Sequence, residues 1–473
     1  MTVLTITSLV LVVLGGGTRL GWPRALALSG ATPAGAALVL GDIAVPTFDF
    51  VALFAIVAFA LRALRPRDRL ADMLPPVAGL QPLVLFGLWS VMITLIAPVL
   101  FEGMAVTGPD IGAIHFLNSA IQPATSNIAQ LAYLSIAVAA VALVARDRAT
   151  AIDAVGLVFI ASTLLSFWAL LGRDFGVPFP VGVFDNSPAF RYIDSAPGGA
   201  ERFRGIFPEP AALATVSLAT IAFLVAYLPR SRGRLRTGAV VVLGCAIWNA
   251  AVSTATTLII SGLLLALLAL GFFGVRFFLS GLRVGPGLIV VMCVAGSMLV
   301  LALPTLANAL ATTLGEKVDS TSYDQRSFAD NFSYGLVLQT FGLGVGLGSN
   351  RPSSFLAALL STTGIVGTAL FIVALAVVLV QAAPIRSVSP VMWAFISLLI
   401  SKIISAPDLG DPTGLTWLCL GVLSHAVTQR DAEAASSFAR VRLTEPPRVQ
   451  SGVKSVLGGA VRPAFATVRR VLR

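Results

Sequence analysis

Two arginines and a glutamate at the end of a long polar stretch are the residues best suited to chemistry. They are Arg202, Arg204 and Glu209, and Pro210 follows directly. A guanidinium group binds phosphate through two parallel hydrogen bonds, and a carboxylate accepts protons in general base catalysis. Pro210 suits the first position of a helix, which places Glu209 at a helix N-terminus. Two interpretations stay open: an anion site with an adjacent base, or a helix cap beside solvated arginines.

A second polar stretch lies between residues 316 and 352. It contains Asp324 and Arg326, then a glycine-rich segment, then Arg351 and Pro352. The glycines alternate along the segment at Gly342, Gly344, Gly346 and Gly348. This spacing predicts an irregular, closely packed segment. Pro352 is a suitable first helical residue, and a helix N-terminus beside Arg351 is a candidate anion site. The alternative is a re-entrant loop whose glycines only permit close helix contact.

Composition determines the elements that must position these residues. The 473-residue chain is 57% hydrophobic and 11% charged, with mean hydropathy +0.91, which is typical of a polytopic membrane protein. Its apolar runs are continuous rather than alternating, so we predict an all-α protein with about 12–14 transmembrane helices. The thirteen runs lie near 2–18, 25–44, 47–64, 79–101, 127–145, 151–171, 211–228, 237–252, 255–274, 285–305, 353–381, 389–406 and 413–428.

Basic residues indicate the orientation of these helices. One alternating set of connections, together with the tail after 429, holds 24 of the 32 lysines and arginines. By the positive-inside rule this set is cytoplasmic, so a net charge of +10 need not imply nucleic acid. The long loops at 172–210 and 306–352 are then extracytoplasmic. We predict one transmembrane domain over 1–429 and a basic cytoplasmic tail over 430–473 that contacts membrane lipids.

The remaining polar residues indicate no metal and no other cofactor. His115 and His425 have neither a second histidine nor a cysteine at ligand spacing. Lys402 lies within an apolar run, close to Asp408 and Asp411. A charge inside a span is functional by default, although a lysine can also extend its ammonium group to the surface.

Two motifs resemble those of a known family. They are the Arg202–Pro210 segment and the Gly-Val-Gly-Leu-Gly-Ser segment at 344–349, which precedes Thr-Gly-Ile-Val-Gly at 363–367. Together they resemble the O-antigen polymerase and O-antigen ligase superfamily of bacterial envelope proteins, from about residue 80 to 430. The resemblance implies an all-helical glycosyltransferase of the bacterial cytoplasmic membrane. Its substrates are glycans on undecaprenyl diphosphate, and transfer occurs on the extracytoplasmic face.

The resemblance also implies roles for particular residues. The arginines that bind the diphosphate map onto Arg204 and Arg326, and we add Arg351 and Arg202. The resemblance leaves the general base unassigned; from the residues themselves we take Glu209 first and Asp324 second. Ligases of the family usually carry a histidine just after the glycine run, where this chain has Asn350 and Arg351. That departure favours a polymerase over a ligase.

Other proteins of polysaccharide synthesis are expected as partners, namely flippases and chain-length regulators. The rival from another class is a flippase or transporter of lipid-linked sugars. A transporter predicts broken helices and polar residues near the middle of the membrane.

Overall fold

The computed structural model describes residues 2–17, 20–41, 43–63, 77–107, 119–188, 202–280 and 321–444. Eight helices in these ranges are long and apolar enough to cross a membrane. Only short strands accompany them, so the predicted all-α polytopic class is confirmed. The apolar run at 285–305 lies outside the described residues.

The helices of the described ranges follow one another in the order α1 to α14. Their bounds are α1 Val3–Gly16, α2 Trp22–Ser29, α3 Thr47–Ala63, α4 Leu80–Leu100, α5 Thr125–Arg146, α6 Ile152–Phe175, α7 Val181–Phe184, α8 Pro210–Tyr227, α9 Gly233–Ser253, α10 Thr256–Ser280, α11 Thr321–Gln339, α12 Phe355–Ala382, α13 Ser389–Ser405 and α14 Leu415–Thr444. Eleven of them, all except α2, α7 and α11, coincide with predicted apolar runs to within a few residues, apart from the C-terminal extensions of α10 and α14.

The prediction of one span over 25–44 is wrong. Only the eight-residue α2 forms there, and the chain then makes an antiparallel hairpin of β1 (Ala36–Leu40) and β2 (Ile43–Pro46). Glycine and proline at Gly30, Pro33 and Gly35 explain the difference, because they disfavour a helix interior. The hairpin turn begins at Gly41, whose φ of 61° favours glycine. A second, two-residue pair joins β3 (Ala105–Val106) to β4 (Ser119–Ala120).

Helix α8 lies at the centre of the candidate site. It begins at Pro210, as predicted, and packs along α13 and α9. Its apolar side chains belong to one large core that also includes Phe159, Phe395 and Trp417. The start of α8 and the end of α13 line the same cavity, so the two helices run antiparallel. Residues at the start of α8 therefore meet residues at the end of α13.

Helix α12 is broken at Gly364, where φ is 69° and ψ is −172°. The glycine-rich segment fills the break. The backbone N–H groups of Val345 and Gly346 donate to the carbonyl oxygens of Ser361 (2.8 Å) and Thr362 (3.0 Å). In return, the N–H of Ile365 donates to the carbonyl of Gly342 at 2.8 Å. The predicted irregular, closely packed segment is confirmed.

The chain divides after Gln429 into two units. The first contains the bundle described above. Of the second, the structure describes residues 430–444, which form the last part of α14. The rest of the predicted tail lies outside the described residues.

Candidate functional site

A cavity of about 120 Å³ lies where α8 begins and α13 ends. Residues of the connection 406–414, which joins α13 to α14, line one side of it together with Leu415. Most of its lining is apolar or proline, including Phe207, Pro208 and Leu398. Four ionisable side chains also line it: Glu209, Lys402, Asp408 and Asp411. The cavity therefore joins the glutamate of the first motif to the charged cluster around Lys402.

Glu209 occupies the N-cap position of α8, with extended backbone angles of −147° and 157°. Its carboxylate makes no capping hydrogen bond, so the simple cap interpretation does not describe this side chain. Burial raises the pKa of Glu209, and the negative charge of Asp408 raises it further. The positive charges of Arg326 and Arg202 oppose this rise. Glu209 is thus a half-buried carboxyl group with raised basicity beside two arginines.

Arg202 and Arg326 come from different parts of the chain. Arg202 precedes α8, and its Nη2 donates to the carbonyl of Thr254 at 3.2 Å. Arg326 projects from α11 and is exposed. Burial lowers the pKa of Arg202 and the like charge of Arg326 lowers it further, while Glu209 opposes both. Three of the six residues singled out in the sequence therefore form one electrostatic cluster.

Lys402 is buried and has defined partners. Its Nζ donates to the carbonyl of Asp408 at 3.1 Å and lies 3.8 Å from Asp411 Oδ2. The ammonium group also lies 5.7 Å from the centroid of the Phe355 ring. Its environment contains oxygen acceptors and an aromatic face, so Lys402 has no need to extend to water.

Asp411 is the counter-charge to Lys402. Burial by itself would raise the pKa of Asp411, but Lys402 and hydrogen bonds from Thr413 and Thr416 outweigh that effect and lower it. Thr413 Oγ1 donates at 2.6 Å, and the backbone N–H of Thr416 donates at 3.0 Å. These donors hold Asp411 in its ionised form.

Arg204 has protein partners. Both of its Nη groups donate to Asp185, and Nη1 also donates to the carbonyl of Phe207 at 3.0 Å. Sequence reasoning did not single out Asp185. Asp185 lies in the same predicted loop as Arg204. The sequence alone does not show that the loop folds back to bring the two side chains together.

Asp324 and Arg351 are exposed, and within the described ranges no hydrogen bond or ion pair connects them to Glu209. Helix α12 starts at Phe355 with Ser354 as N-cap, so the expectation that Pro352 opens this helix is wrong. The two amides just before it are used: Asp330 Oδ1 accepts from the N–H groups of Ser353 (2.7 Å) and Ser354 (3.1 Å). A carboxylate of the protein itself therefore lies at the entry to this helix.

Asn350 is held through both ends of its side-chain amide. Its carbonyl oxygen accepts from Thr107 Oγ1 at 2.6 Å, and its amide donates to Ser333 Oγ at 2.8 Å. Asn127 likewise donates to the carbonyl of Leu347 at 2.6 Å. These bonds fix the glycine-rich segment against α5 and α11.

Among the described residues, no group of three or more His, Cys, Asp or Glu side chains could hold a metal ion. His115 lies outside them. His425 Nδ1 lies 3.0 Å from the carbonyl oxygen of Ala145, within the bundle. No family model matches this chain, and no curated protein shows significant similarity to it.

Proposed function

We propose that the protein is a polysaccharide polymerase that joins lipid-diphosphate-linked oligosaccharide units at the extracytoplasmic face of a bacterial cytoplasmic membrane. The observation that carries the proposal is the arrangement at Glu209. A carboxylate that its own helix does not use lines a cavity, and two arginines from separate segments act on it electrostatically. A base and an anion site are the two parts that this reaction requires.

The glycosyl transfer can be written with this base and this anion site so that bonds and protons balance. A hydroxyl oxygen of one unit attacks the anomeric carbon of the other. The bond from that carbon to the diphosphate oxygen breaks, and its electron pair leaves with the diphosphate. The hydroxyl proton moves to Glu209. Burial makes this carboxylate a stronger base than an exposed glutamate, which brings its basicity closer to that required near neutral pH.

The arginines divide into two groups in this proposal. Arg326 and Arg202 stabilise the diphosphate as negative charge develops on it. Arg204 holds the segment before α8 through Asp185 and Phe207, so its first role is to position Arg202 and Glu209. Asp324 and Arg351 belong to the outer rim. Asp324 remains the second candidate for the base. Arg351 is an additional candidate contact for the diphosphate of the glycan donor.

The proposed location follows from the basic residues. The segment at 172–210, predicted to be extracytoplasmic, supplies Glu209, which lines the cavity together with Asp408 from the connection between α13 and α14. Lipid-linked glycan therefore reaches the site from the outer leaflet, after translocation by a flippase. A chain-length regulator is the other expected partner.

A transporter of lipid-linked sugars is the second candidate, and one observation favours it. Helix α12 is interrupted at Gly364, and transporters place interrupted helices around their substrate sites. The interruption here is filled by the protein's own glycine-rich segment, whose N–H groups bond the freed carbonyls. That filling favours a structural break over a substrate site.

Reconstitution tests these candidates directly. The purified protein is placed in vesicles with a lipid-diphosphate-linked oligosaccharide in the exposed leaflet, and products are resolved by mass spectrometry. A polymerase gives a ladder of repeat units with release of lipid diphosphate. Transfer of single units to an added lipid acceptor would support an O-antigen ligase. Movement of the substrate between leaflets without bond formation would support a transporter.

A further inference from the structure

Asp49 is an acidic residue in the first turn of α3, a helix that is otherwise almost wholly apolar. Its side chain is 2% exposed. Within the described part of the chain, neither carboxylate oxygen has a hydrogen-bond partner. The proposed transfer reaction makes no use of it. A fully buried carboxyl group without donors calls for a physical account.

The surroundings of Asp49 are set by three segments. The ring of the adjacent Phe48 packs against Gly414, whose N–H donates to the carbonyl of Asp411 at 2.7 Å. From α5, the Tyr133 hydroxyl donates to the carbonyl of Ala44 at 3.0 Å. The Cβ of Tyr133 also contacts Gly410. The start of α3 is thus packed against α5 and the segment that carries Asp411.

Few charged groups face this site. Asp411 and Tyr133 are electrostatically coupled to Asp49, and Lys402 pairs with Asp411. Helix α1, which packs against α3, contains no titratable side chain. Helix α2 contributes Arg24, which pairs with Asp153. Among the described residues, Lys402 is therefore the cation paired with this cluster, through Asp411.

Charge balance determines the state of Asp49. Lys402 carries one positive charge, and Asp411, with hydrogen bonds from two threonines, balances it. An ionised Asp49 would add a second negative charge in a dry site with no donor. Burying an unpaired ion is strongly unfavourable, and two neighbouring carboxylates resist joint ionisation. The neutral acid avoids both costs.

We propose that Asp49 is a proton-binding site: its buried carboxyl group carries a proton at neutral pH behind the ionised Asp411–Lys402 pair. The ligand is the proton itself. Its presence keeps the net charge of Asp49, Asp411 and Lys402 at zero. This inference rests on burial, packing and charge, and it stands whether or not the protein transfers sugars.

Infrared difference spectroscopy of the full-length protein tests the proposal. Subtracting the spectrum of Asp49→Asn from that of the wild type isolates the Asp49 absorption. We expect a protonated carboxylic-acid carbonyl band that shifts when water is replaced by D₂O. Asp153→Asn is the matched control, because Asp153 is a 55%-exposed side chain paired with Arg24. Its difference spectrum should lack that D₂O-sensitive carboxylic-acid band.

Chemical labelling of the wild type provides a second test that does not depend on a variant. Dicyclohexylcarbodiimide, an apolar reagent, takes up the acid proton on nitrogen while a carboxyl oxygen bonds to its central carbon, and the adduct rearranges to a stable N-acylurea. We expect mass spectrometry to find this adduct on Asp49, with a yield that falls as pH rises. Carboxylate bands for Asp49 at neutral pH would overturn the proposal. So would a signal that Na⁺ alters at constant pH, because a bound sodium ion would then take the place of the proton.

Discussion

Arg204 and Asp185 form a two-pronged ion pair across the polar loop that precedes α8. Arg204 Nη1 donates to Asp185 Oδ1 at 3.1 Å, and Nη2 donates to Oδ2. Each side chain is only 12% exposed. The pair fixes the chain five residues before Glu209, so disturbing it changes the position of the cavity lining as well as the local charge.

The first prediction therefore concerns Asp185→Asn. We expect it to lower the thermal stability of the purified protein about as much as Arg204→Lys does, by about 1–3 kcal/mol, because each removes one partner of a charged hydrogen bond. Thermal unfolding in detergent measures this. If Arg204 instead serves mainly to bind diphosphate, Arg204→Lys will abolish transfer at unchanged stability, and Asp185→Asn will retain it.

The all-α membrane class and most helix positions could be predicted from the sequence, because long apolar runs can satisfy their backbone groups in lipid only as helices. The start of α8 was predictable as well, because proline is favoured at the first helical position. The hairpin at 36–46 was not, since apolar periodicity cannot separate a short buried strand from a helix.

The candidate site could be predicted only in part. Glu209 and the arginines were visible as charges outside apolar runs. Some acceptors were not, because packing rather than sequence spacing brings Asp185 to Arg204 and Asp330 to the N–H groups of Ser353 and Ser354. Asp49 was overlooked inside the apolar run 47–64, where an acidic residue was itself the signal.

Arg326 carries the second prediction. Lysine retains its charge but cannot bind phosphate through two parallel N–H groups. We expect Arg326→Lys to raise KM for the lipid-linked donor about tenfold, equivalent to roughly 1.4 kcal/mol. Arg234→Lys on α9 is the matched control, because it is exposed in a connection predicted to be cytoplasmic. Equal KM values for the two variants would remove Arg326 from the donor site.

The third prediction concerns Gly344, which has a φ of 88°. A Cβ there would lie 2.6 Å from the backbone nitrogen of Gly364 and 2.8 Å from the carbonyl oxygen of Thr362. Gly344→Ala should therefore destabilise the protein by more than the ~1–2 kcal/mol of left-handed strain alone. Gly335→Ala on α11 meets nothing within 4 Å and should be neutral or slightly stabilising. Melting temperatures in detergent compare them, and equal values would show that α12 is not held by this contact.

Orientation is the fourth prediction. In a protein whose native cysteines are replaced by alanine, Asn331→Cys on α11 should react with an impermeant thiol reagent in intact cells or spheroplasts. Ala149→Cys, between α5 and α6, should react only after permeabilisation. Both positions are exposed, so accessibility of the side chain itself is matched. The opposite pattern would place Glu209 and the cavity on the cytoplasmic face.

The fifth prediction separates catalysis by Glu209 from structure. As a general base, Glu209 needs a carboxylate that accepts a proton, and losing it costs about 10²–10⁴-fold in rate. Glutamine keeps the size and an acceptor oxygen but not the basicity. We expect Glu209→Gln to accumulate normally, to bind lipid-linked donor with unchanged affinity and to lose turnover. A Gln variant with wild-type turnover would move the search for the base to Asp324.

Stability against pH gives an independent reading of the same substitution. The pKa of Glu209 is raised above its ordinary value of 4.5, mainly by burial, so folding favours its protonated form. The stabilisation from this group is complete below the unfolded pKa and is lost as pH rises through the folded one. The Glu209→Gln variant has no carboxyl group at this position to ionise, so it does not lose stability in this way. Its melting temperature should therefore rise relative to the wild type as pH increases from about 4.5, while wild-type turnover increases over the same interval as the base ionises. A pH-independent difference in melting temperature would mean that Glu209 titrates as an exposed carboxyl group does, and the buried base would have to be given up.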